Sequence, residues 1–396
     1  MPTAPLDFEK NITAWWRQVK DDFWGDVKAE TLTLVQRLLE VSMQEELAVY
    51  TQAEWYARTG HARPYRNGSY TRTLSTELGL VPALRVPRSR DGGFHPRVLP
   101  RYQRRQPAVN QLLQAVFLAG VSTRRVGEVV QPLLGVRWSA TTVSTVTKAL
   151  DHAVGQFHRR PLLDEYQVVL LDGVRQSVKH TLGVTKRVVL VAYGITVFGR
   201  RELLSFRQAP SESQTAWEAF LNDLYRRGLE GKNLRLVVTD GCKGLHAALA
   251  VVYPYVPRQR CWVHKLRNVA AKLPRPIQTA CLREAKTLYR SSTRREAVAR
   301  FRTWERHWTT LAPQAVACVR EDLDELLAFL AFPEPQRVML RTTNVIERCF
   351  REVRRRTRPI GCFTNAASCD RITYAVFHRL NTQWQARALL AFTQFT

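Results

Sequence analysis

Two short apolar runs, each closed by Asp-Gly, constrain this chain more than anything else in it. They are Gln167-Val168-Val169-Leu170-Leu171-Asp172-Gly173 and Leu234-Arg235-Leu236-Val237-Val238-Thr239-Asp240-Gly241. A brief run of Val and Leu bounded by a turn signal reads as a buried strand. Each strand delivers a carboxylate at its end. Between them, Lys186 to Ile195 and Glu202 to Arg207 read as two more strands, and tight turns make the first three an antiparallel meander. Ser213 caps a helix with Trp217, Phe220, Leu221 and Leu224 on one side. Lys243 to Val252 is helical, and Gln259 to His264 is a short strand leading into a helix.

A third acid stands in an unusual place. Glu347 is the only acid between Arg341 and Arg351. Asn344 can cap a helix there, with Glu347 three residues later as in a capping box. Ile346, Phe350 and Val353 form its apolar stripe, while Arg348, Arg351 and Arg355 lie on another face and can reach phosphates. On this helix alone, the carboxylate reads either as the capping box or as a metal ligand beside a basic groove. Asp-Gly alone is a common turn, so the weight falls on the set of three. Two strand ends carrying Asp and a helix presenting Glu are what a two-metal phosphoryl-transfer site requires, with ions about 3.5–4 Å apart. Carboxylate oxygens suit Mg2+, with Mn2+ as a substitute. A ribonuclease-H-like sheet would put Asp172 and Asp240 side by side.

From Lys265 to about Phe332 the pattern is helical throughout, with Trp304 and Trp308 on one face and acids at Glu321, Asp322, Asp324 and Glu325. This all-α insertion separates Asp240 from Glu347, and Pro333 and Pro335 close it. Asp370 to about Leu390 is a last amphipathic helix, with Ile372, Val376, Phe377 and Leu380.

With 396 residues and 45% hydrophobic residues, the chain can bury a sizeable core. Its 60 Lys and Arg against 34 Asp and Glu leave a formal charge of +26, spread along the sequence. Such a balance points to a polyanionic partner, nucleic acid ahead of a membrane surface. No apolar run approaches the ~20 residues needed to span a bilayer. Residues 1–10 lack a signal-peptide pattern, and the seven cysteines are scattered. The reading is therefore of a cytoplasmic, nucleoid-associated protein. Cys261-x2-His264 and Cys362-x6-Cys369 lack the paired spacing of a zinc finger.

Ahead of the catalytic region, residues 11 to 58 read as helical, with Leu32, Leu34, Val35, Leu38, Leu39, Val41 and Met43 in one segment and Trp15, Trp16 and Trp24 as packing or association residues. Thr71 to Val86 alternates like strands, interrupted by Gly79 and Pro82. Arginines and aromatics interleave around them, and Arg66, Arg88, Arg90, Arg101, Arg104 and Arg105 suit contact with a phosphate backbone. Three helices follow: Val109 to Leu118, ended by Gly120; one capped by Ser122 or Thr123 running to about Leu133; and one capped by Ser139, from Ala140 to about His152. Joined through Gly135, the last two fit a helix-turn-helix, with Thr141, Thr142, Thr145 and Lys148 toward the groove.

Taken together, several motifs resemble those of the Mutator-type transposases of bacterial insertion sequences. They are Tyr65-Arg66-Asn67-Gly68, Val86-Pro87-Arg88-Ser89-Arg90-Asp91-Gly92, Leu99 to Arg105, Leu171-Asp172-Gly173, Thr239 to Leu245, Gln259 to His264 with Arg267-Asn268, and Arg341 to Asn344 through Glu347 to Thr357. The resemblance covers roughly residues 60 to 385. It implies a ribonuclease-H-like core whose Asp-Asp-Glu triad, here Asp172, Asp240 and Glu347, binds two Mg2+ and cleaves and joins DNA at terminal inverted repeats. It also implies a circular intermediate, and a role for His264 in holding DNA near the cut. Two ends held together imply a homodimer. One departure is Arg175-Gln176, where the family often has an aromatic; it bears on end recognition.

The expected fold is thus an α/β catalytic core of ribonuclease-H-like type with an all-α insertion, preceded by helical and small β-containing DNA-binding domains. The expected ranges are 1–60 helical, 61–106 a small basic β/loop region, 107–160 helix-turn-helix-like, 161–264 the first part of the core, 265–335 the insertion and 336–396 the core's C-terminal helices. Near the acids, Lys243, Arg260, His264, Arg341, Arg348, Arg351, Arg354 and Arg355 are expected DNA contacts. The rival readings are a non-catalytic sequence-specific DNA-binding protein and a structure-selective nuclease.

Overall fold

The structure, a computed structural model, describes residues 23–52, 64–180, 183–358, 363 and 365–393. Trp15, Trp16, Cys362 and the helical reading of residues 11–22 and 53–58 lie outside them. The chain divides into two compact units, residues 1–148 and 149–396. No described helix is long and apolar enough to cross a membrane.

In the first unit, helix α1 (Phe23–Thr51) lies along a hairpin of β1 (Arg66–Thr76) and β2 (Gly79–Ser89). Met43 on the helix and Leu74, Val81, Leu84 and Val86 on the strands share one small core, with Leu32 and Leu39 packed against it. The two interrupters expected from sequence behave differently. Gly79 opens β2 directly after the hairpin turn, at φ +144°. Pro82 stays inside β2, where the pairing shifts between Arg72 and Leu74; such a bulge accepts a residue with no N–H to give the ladder. Then come α2 (Pro107–Leu118), α3 (Thr123–Leu134) and α4 (Ala140–Lys148). Gly135 ends α3 at φ +67°, and the Ser139 hydroxyl accepts the Thr142 N–H at 3.1 Å, as the sequence predicts for a cap. Helix α4 stops at Lys148 rather than near His152, and α5 (Leu150–Arg159) opens the second unit.

The second unit is built on a five-stranded mixed sheet ordered β5-β4-β3-β6-β7. Its strands are β3 (Tyr166–His180), β4 (Gly183–Thr196), β5 (Arg201–Ala209), β6 (Leu236–Thr239) and β7 (Arg258–Arg260). The first three form the antiparallel meander expected from the sequence; β6 and β7 add in parallel. Helices α6 (Gln214–Arg226) and α7 (Lys243–Val252) cover one face. There Trp217, Phe220, Leu221 and Leu245 close over Val169, Leu171, Leu190 and Ala192. Ser213 caps α6 as read, accepting the Ala216 N–H at 3.3 Å. Helices α14 (Asn344–Thr357) and α15 (Ala366–Gln385) pack on the other side, where Phe377 meets Phe350 at 5.7 Å and Phe206 at 5.4 Å.

The insertion is helical as expected: α8 (Trp262–Ala270), α9 (Arg275–Leu288), α10 (Arg294–Trp308), α11 (Pro313–Glu321) and α12 (Leu323–Leu326), with a 3-10 turn at Ala328–Ala331. A short α13 (Glu334–Leu340) leads back to the sheet, and α16 (Leu390–Thr393) follows α15. Gln259, fully buried on β7, clamps the insertion in place. Its amide nitrogen donates to the Leu326 carbonyl at 3.1 Å and its amide oxygen accepts the Phe329 N–H at 2.7 Å. Beside it, the Trp262 indole N–H donates to the same Leu326 carbonyl at 2.7 Å. Two of the acids read as a cluster, Asp322 and Glu325, turn inward to Lys265, Arg260 and His246.

Candidate active site

Pairing register brings the two aspartates together. Strands β3 and β6 run parallel with Val168 opposite Leu236 and Leu170 opposite Val238. Asp172 lies inside β3, which runs on to His180 instead of ending at the aspartate as the sequence suggests, and Asp240 stands just past the end of the neighbouring β6, its charge acting on Asp172. Asp172 is only 3% exposed, and its Oδ2 is buried without a hydrogen-bond partner. Asp240 stands one residue past β6, where Gly241 turns the chain at φ +89°, and its Oδ1 accepts the Cys242 N–H at 3.0 Å. Burial and the Asp240 charge push the Asp172 carboxyl up to about 7, with His264 opposing them.

Glu347 lies on the first turn of α14, but not in a capping box. Asn344 is already helical, Thr343 occupies the cap, and no side chain closes it. The reason is tertiary. The Thr343 N–H donates to the Cys261 sulphur at 3.4 Å and the Arg341 carbonyl accepts the Trp262 N–H at 3.0 Å. These bonds tie the entering chain to α8 and leave Thr343 fully buried. Freed from capping, the Glu347 carboxylate meets Arg267 Nη1 at 3.4 Å and His264 Nε2 at 3.6 Å.

His264 belongs to the first turn of α8 rather than to a strand, because the chain becomes helical at Trp262, with Cys261 at the cap. Helical spacing then turns residue 264 back toward the sheet ends. The Cys261 sulphur beside it, and the Asp172 and Asp240 charges, push its imidazole up to about 9 against the effect of burial.

Among the described residues, no group of three or more His, Cys, Asp or Glu side chains is close enough to hold a metal ion. The donor chemistry still fits a divalent cation: a buried carboxylate oxygen lacks any partner, and a neighbouring carboxylate raises its proton affinity. Glu347 is held by two side chains that a cation could replace.

One acid at the site is absent from the sequence reading. Glu212 precedes the α6 cap, and Asp240, Arg175 and His264 all act on its carboxyl, which burial raises above the usual range. Its only sequence signal is a lone acid between two serines at a helix start.

The expected contact residues are distributed unevenly. On α14, Arg348, Arg351, Arg354 and Arg355 are exposed, while Arg356 turns inward to Glu352 at 2.8 Å. Lys243 is exposed at the start of α7. Arg341 stacks 4.8 Å over Tyr289. Arg260 is instead occupied by Asp322 at 2.9 Å and Glu325 at 3.2 Å, facing the insertion. In the first unit, Arg88 lies over Tyr70, Arg101 over Tyr102 and Arg105 over Trp138. Arg66 donates to Gln44, and Arg90, Arg104, Thr141 and Lys148 are exposed; Thr142 shares the Ser139 cap.

Fold and site together define an α/β protein with an acidic centre on β3 and at the end of β6, and a strongly basic helix beside it. The family model described as "Transposase, Mutator family" matches residues 6–387. The transposase for insertion sequence element ISRM5 of Rhizobium meliloti (strain 1021) is 37% identical over 352 residues, covering 89% of this chain and 87% of that protein. The transposase for IS905 of Lactococcus lactis subsp. lactis (strain IL1403) is 31% identical, covering 91% and 92%. The transposase for IS256 in transposon Tn4001 of Staphylococcus aureus is 32% identical, covering 92% of each. The chain belongs to the Mutator family of transposases.

Proposed function

We propose that this transposase binds double-stranded DNA at the terminal inverted repeats of an insertion sequence, then cleaves the DNA and transfers its strands in a metal-dependent reaction. The observation that carries this reading is the parallel pairing of β3 with β6, which brings the Asp240 charge to bear on Asp172, with His264 linking them electrostatically to Glu347. A meander followed by two parallel strands supports a ribonuclease-H-like core. The helices α3 and α4 support a helix-turn-helix, and the need to hold two ends supports a homodimer.

Asp172, Asp240 and Glu347 would hold two Mg2+, or Mn2+ in their place. Bound divalent cations would acidify the attacking oxygen and stabilise the departing one. In cleavage, a water oxygen bonds to phosphorus, the bond from phosphorus to the 3′ oxygen breaks, and that oxygen leaves as a hydroxyl carrying a proton. In joining, this 3′-OH attacks a phosphodiester of the target, and the displaced 3′ oxygen takes up the proton. The protein forms no covalent bond to DNA. Its own residues position the reactants: the sheet fixes both aspartates, His264 steadies Glu347, and Arg348, Arg351, Arg354 and Arg355 hold backbone phosphates.

The test is activity on duplexes bearing the element's ends. Asp172→Asn, Asp240→Asn and Glu347→Gln each lower cleavage and strand transfer by about 10³-fold or more while end binding survives. Activity retained in one variant removes that residue from the set. Mg2+-independent binding without any cutting supports a non-catalytic DNA-binding protein. Cutting of branched DNA without joining supports a structure-selective nuclease.

A further inference from the structure

The segment between β5 and α6 is pressed onto the acidic centre from the side opposite α14. Two glycines permit this. A Cβ at Gly173 would stand 2.1 Å from Glu212 Oε1, so the glutamate carboxylate fills the space beside the Asp172 backbone that any other residue would close. A Cβ at Gly244 would stand 2.3 Å from the Glu212 carbonyl oxygen. Neither glycine has a left-handed backbone, so contact alone excludes a side chain there.

Two further contacts tie the same residue to the second aspartate. The Cys242 thiol donates to the Glu212 carbonyl at 3.4 Å, while the Cys242 N–H donates to Asp240 Oδ1 at 3.0 Å. Glu212 is thus held against β3 at Gly173 and against the turn after Asp240 at once. Its Oε1 is buried without a hydrogen-bond partner, and so is Asp172 Oδ2, on a side chain 97% withdrawn from solvent by its 3% exposure. A native fold rarely leaves buried carboxylate oxygens with nothing to bind. Asp240 and His264 act on both carboxyls.

We propose that Glu212 is a fourth carboxylate of the catalytic centre, a ligand to the divalent cations held by Asp172 and Asp240. The inference rests on the two-cation reading above. It assigns Glu212 direct contact with the metal, unlike a glutamate that merely balances the exposed Arg175 nearby. The two glycines then serve to admit a ligand rather than to relieve a turn.

The test uses Mn2+ titrated into the full-length protein, with free Mn2+ read by electron paramagnetic resonance. Glu212→Gln should weaken Mn2+ binding by about tenfold or more. Gly173→Ala should do the same by displacing the carboxylate without removing any acid. Equal thermal midpoints and equal affinity for a plain duplex show that both variants are folded. Asp172→Asn and Asp240→Asn are the references. If they lose Mn2+ while Glu212→Gln binds it like the wild type, Glu212 is no ligand and the triad stands. If both aspartate variants bind Mn2+ like the wild type, or the wild type itself binds no better than a protein without the site, the two-cation reading falls and this inference falls with it.

Discussion

His158 shows how a single residue registers its surroundings. Its ring packs 4.6 Å from Phe206 and 5.7 Å from Phe157, and burial, then the Arg227 charge, pushes its imidazole down to about 4. Above pH 6.5 it is neutral both folded and unfolded. As pH falls below 6.5, the unfolded chain takes the proton and the folded one refuses it, so stability is lost until about pH 4, where the loss levels off. The expected loss is about 2 kcal/mol across that window. His158→Gln should flatten this stretch of the curve in urea titrations at stepped pH; an unchanged slope would assign the loss to other groups.

The same scale separates what the residues disclosed from what they did not. Asp172 and Asp240 could be found because each closes an apolar run, although only Asp240 follows the end of its strand, while Asp172 lies inside β3. Glu212 could not, because its place depends on Gly173 and Gly244, two absences of a side chain far apart in sequence. The Asn344 capping box was a sound local reading overruled by the bonds from Thr343 and Arg341 to α8. His264 carried a helical address that its neighbours Gln259 and Arg260, being in a strand, concealed.

At the level of elements, the meander, α6, α7 and the helical insertion were legible because each follows from hydrophobic period and caps. How the insertion docks was not, since it turns on one amide. Gln259 bonds the Leu326 carbonyl and the Phe329 N–H, and also donates to the Arg260 carbonyl at 2.7 Å. Gln259→Leu keeps the volume and strands these backbone groups. It should cost about 2–3 kcal/mol, read as a lower denaturant midpoint with little change in m-value. The Arg371 guanidinium offers a second such clasp, donating through two nitrogens to Asp151 at 2.6 and 2.7 Å and so binding α15 to α5.

For the whole molecule, the excess of 60 basic over 34 acidic residues was plain from the start, but not which cations remain available. Arg260 and Arg356 are committed to internal pairs, whereas Arg348, Arg351, Arg354 and Arg355 present an exposed row along α14. If that row meets phosphates, log affinity for duplex DNA falls linearly with log salt, and each Arg→Ala change there lowers the slope by about one. Arg260→Ala should leave the slope alone and lower stability instead. Titrations at several salt concentrations separate the two.

The long helical detour between Asp240 and Glu347 has a consequence for how the protein is made. A ribosome that has finished the sheet and both aspartates still has α8 to α13 to translate before Glu347 emerges. A chain stopped anywhere in that interval carries the first unit and the strands but no third acid. If Glu347 completes the proposed centre and the first unit binds DNA, such a fragment occupies DNA without cutting it and competes with the finished enzyme.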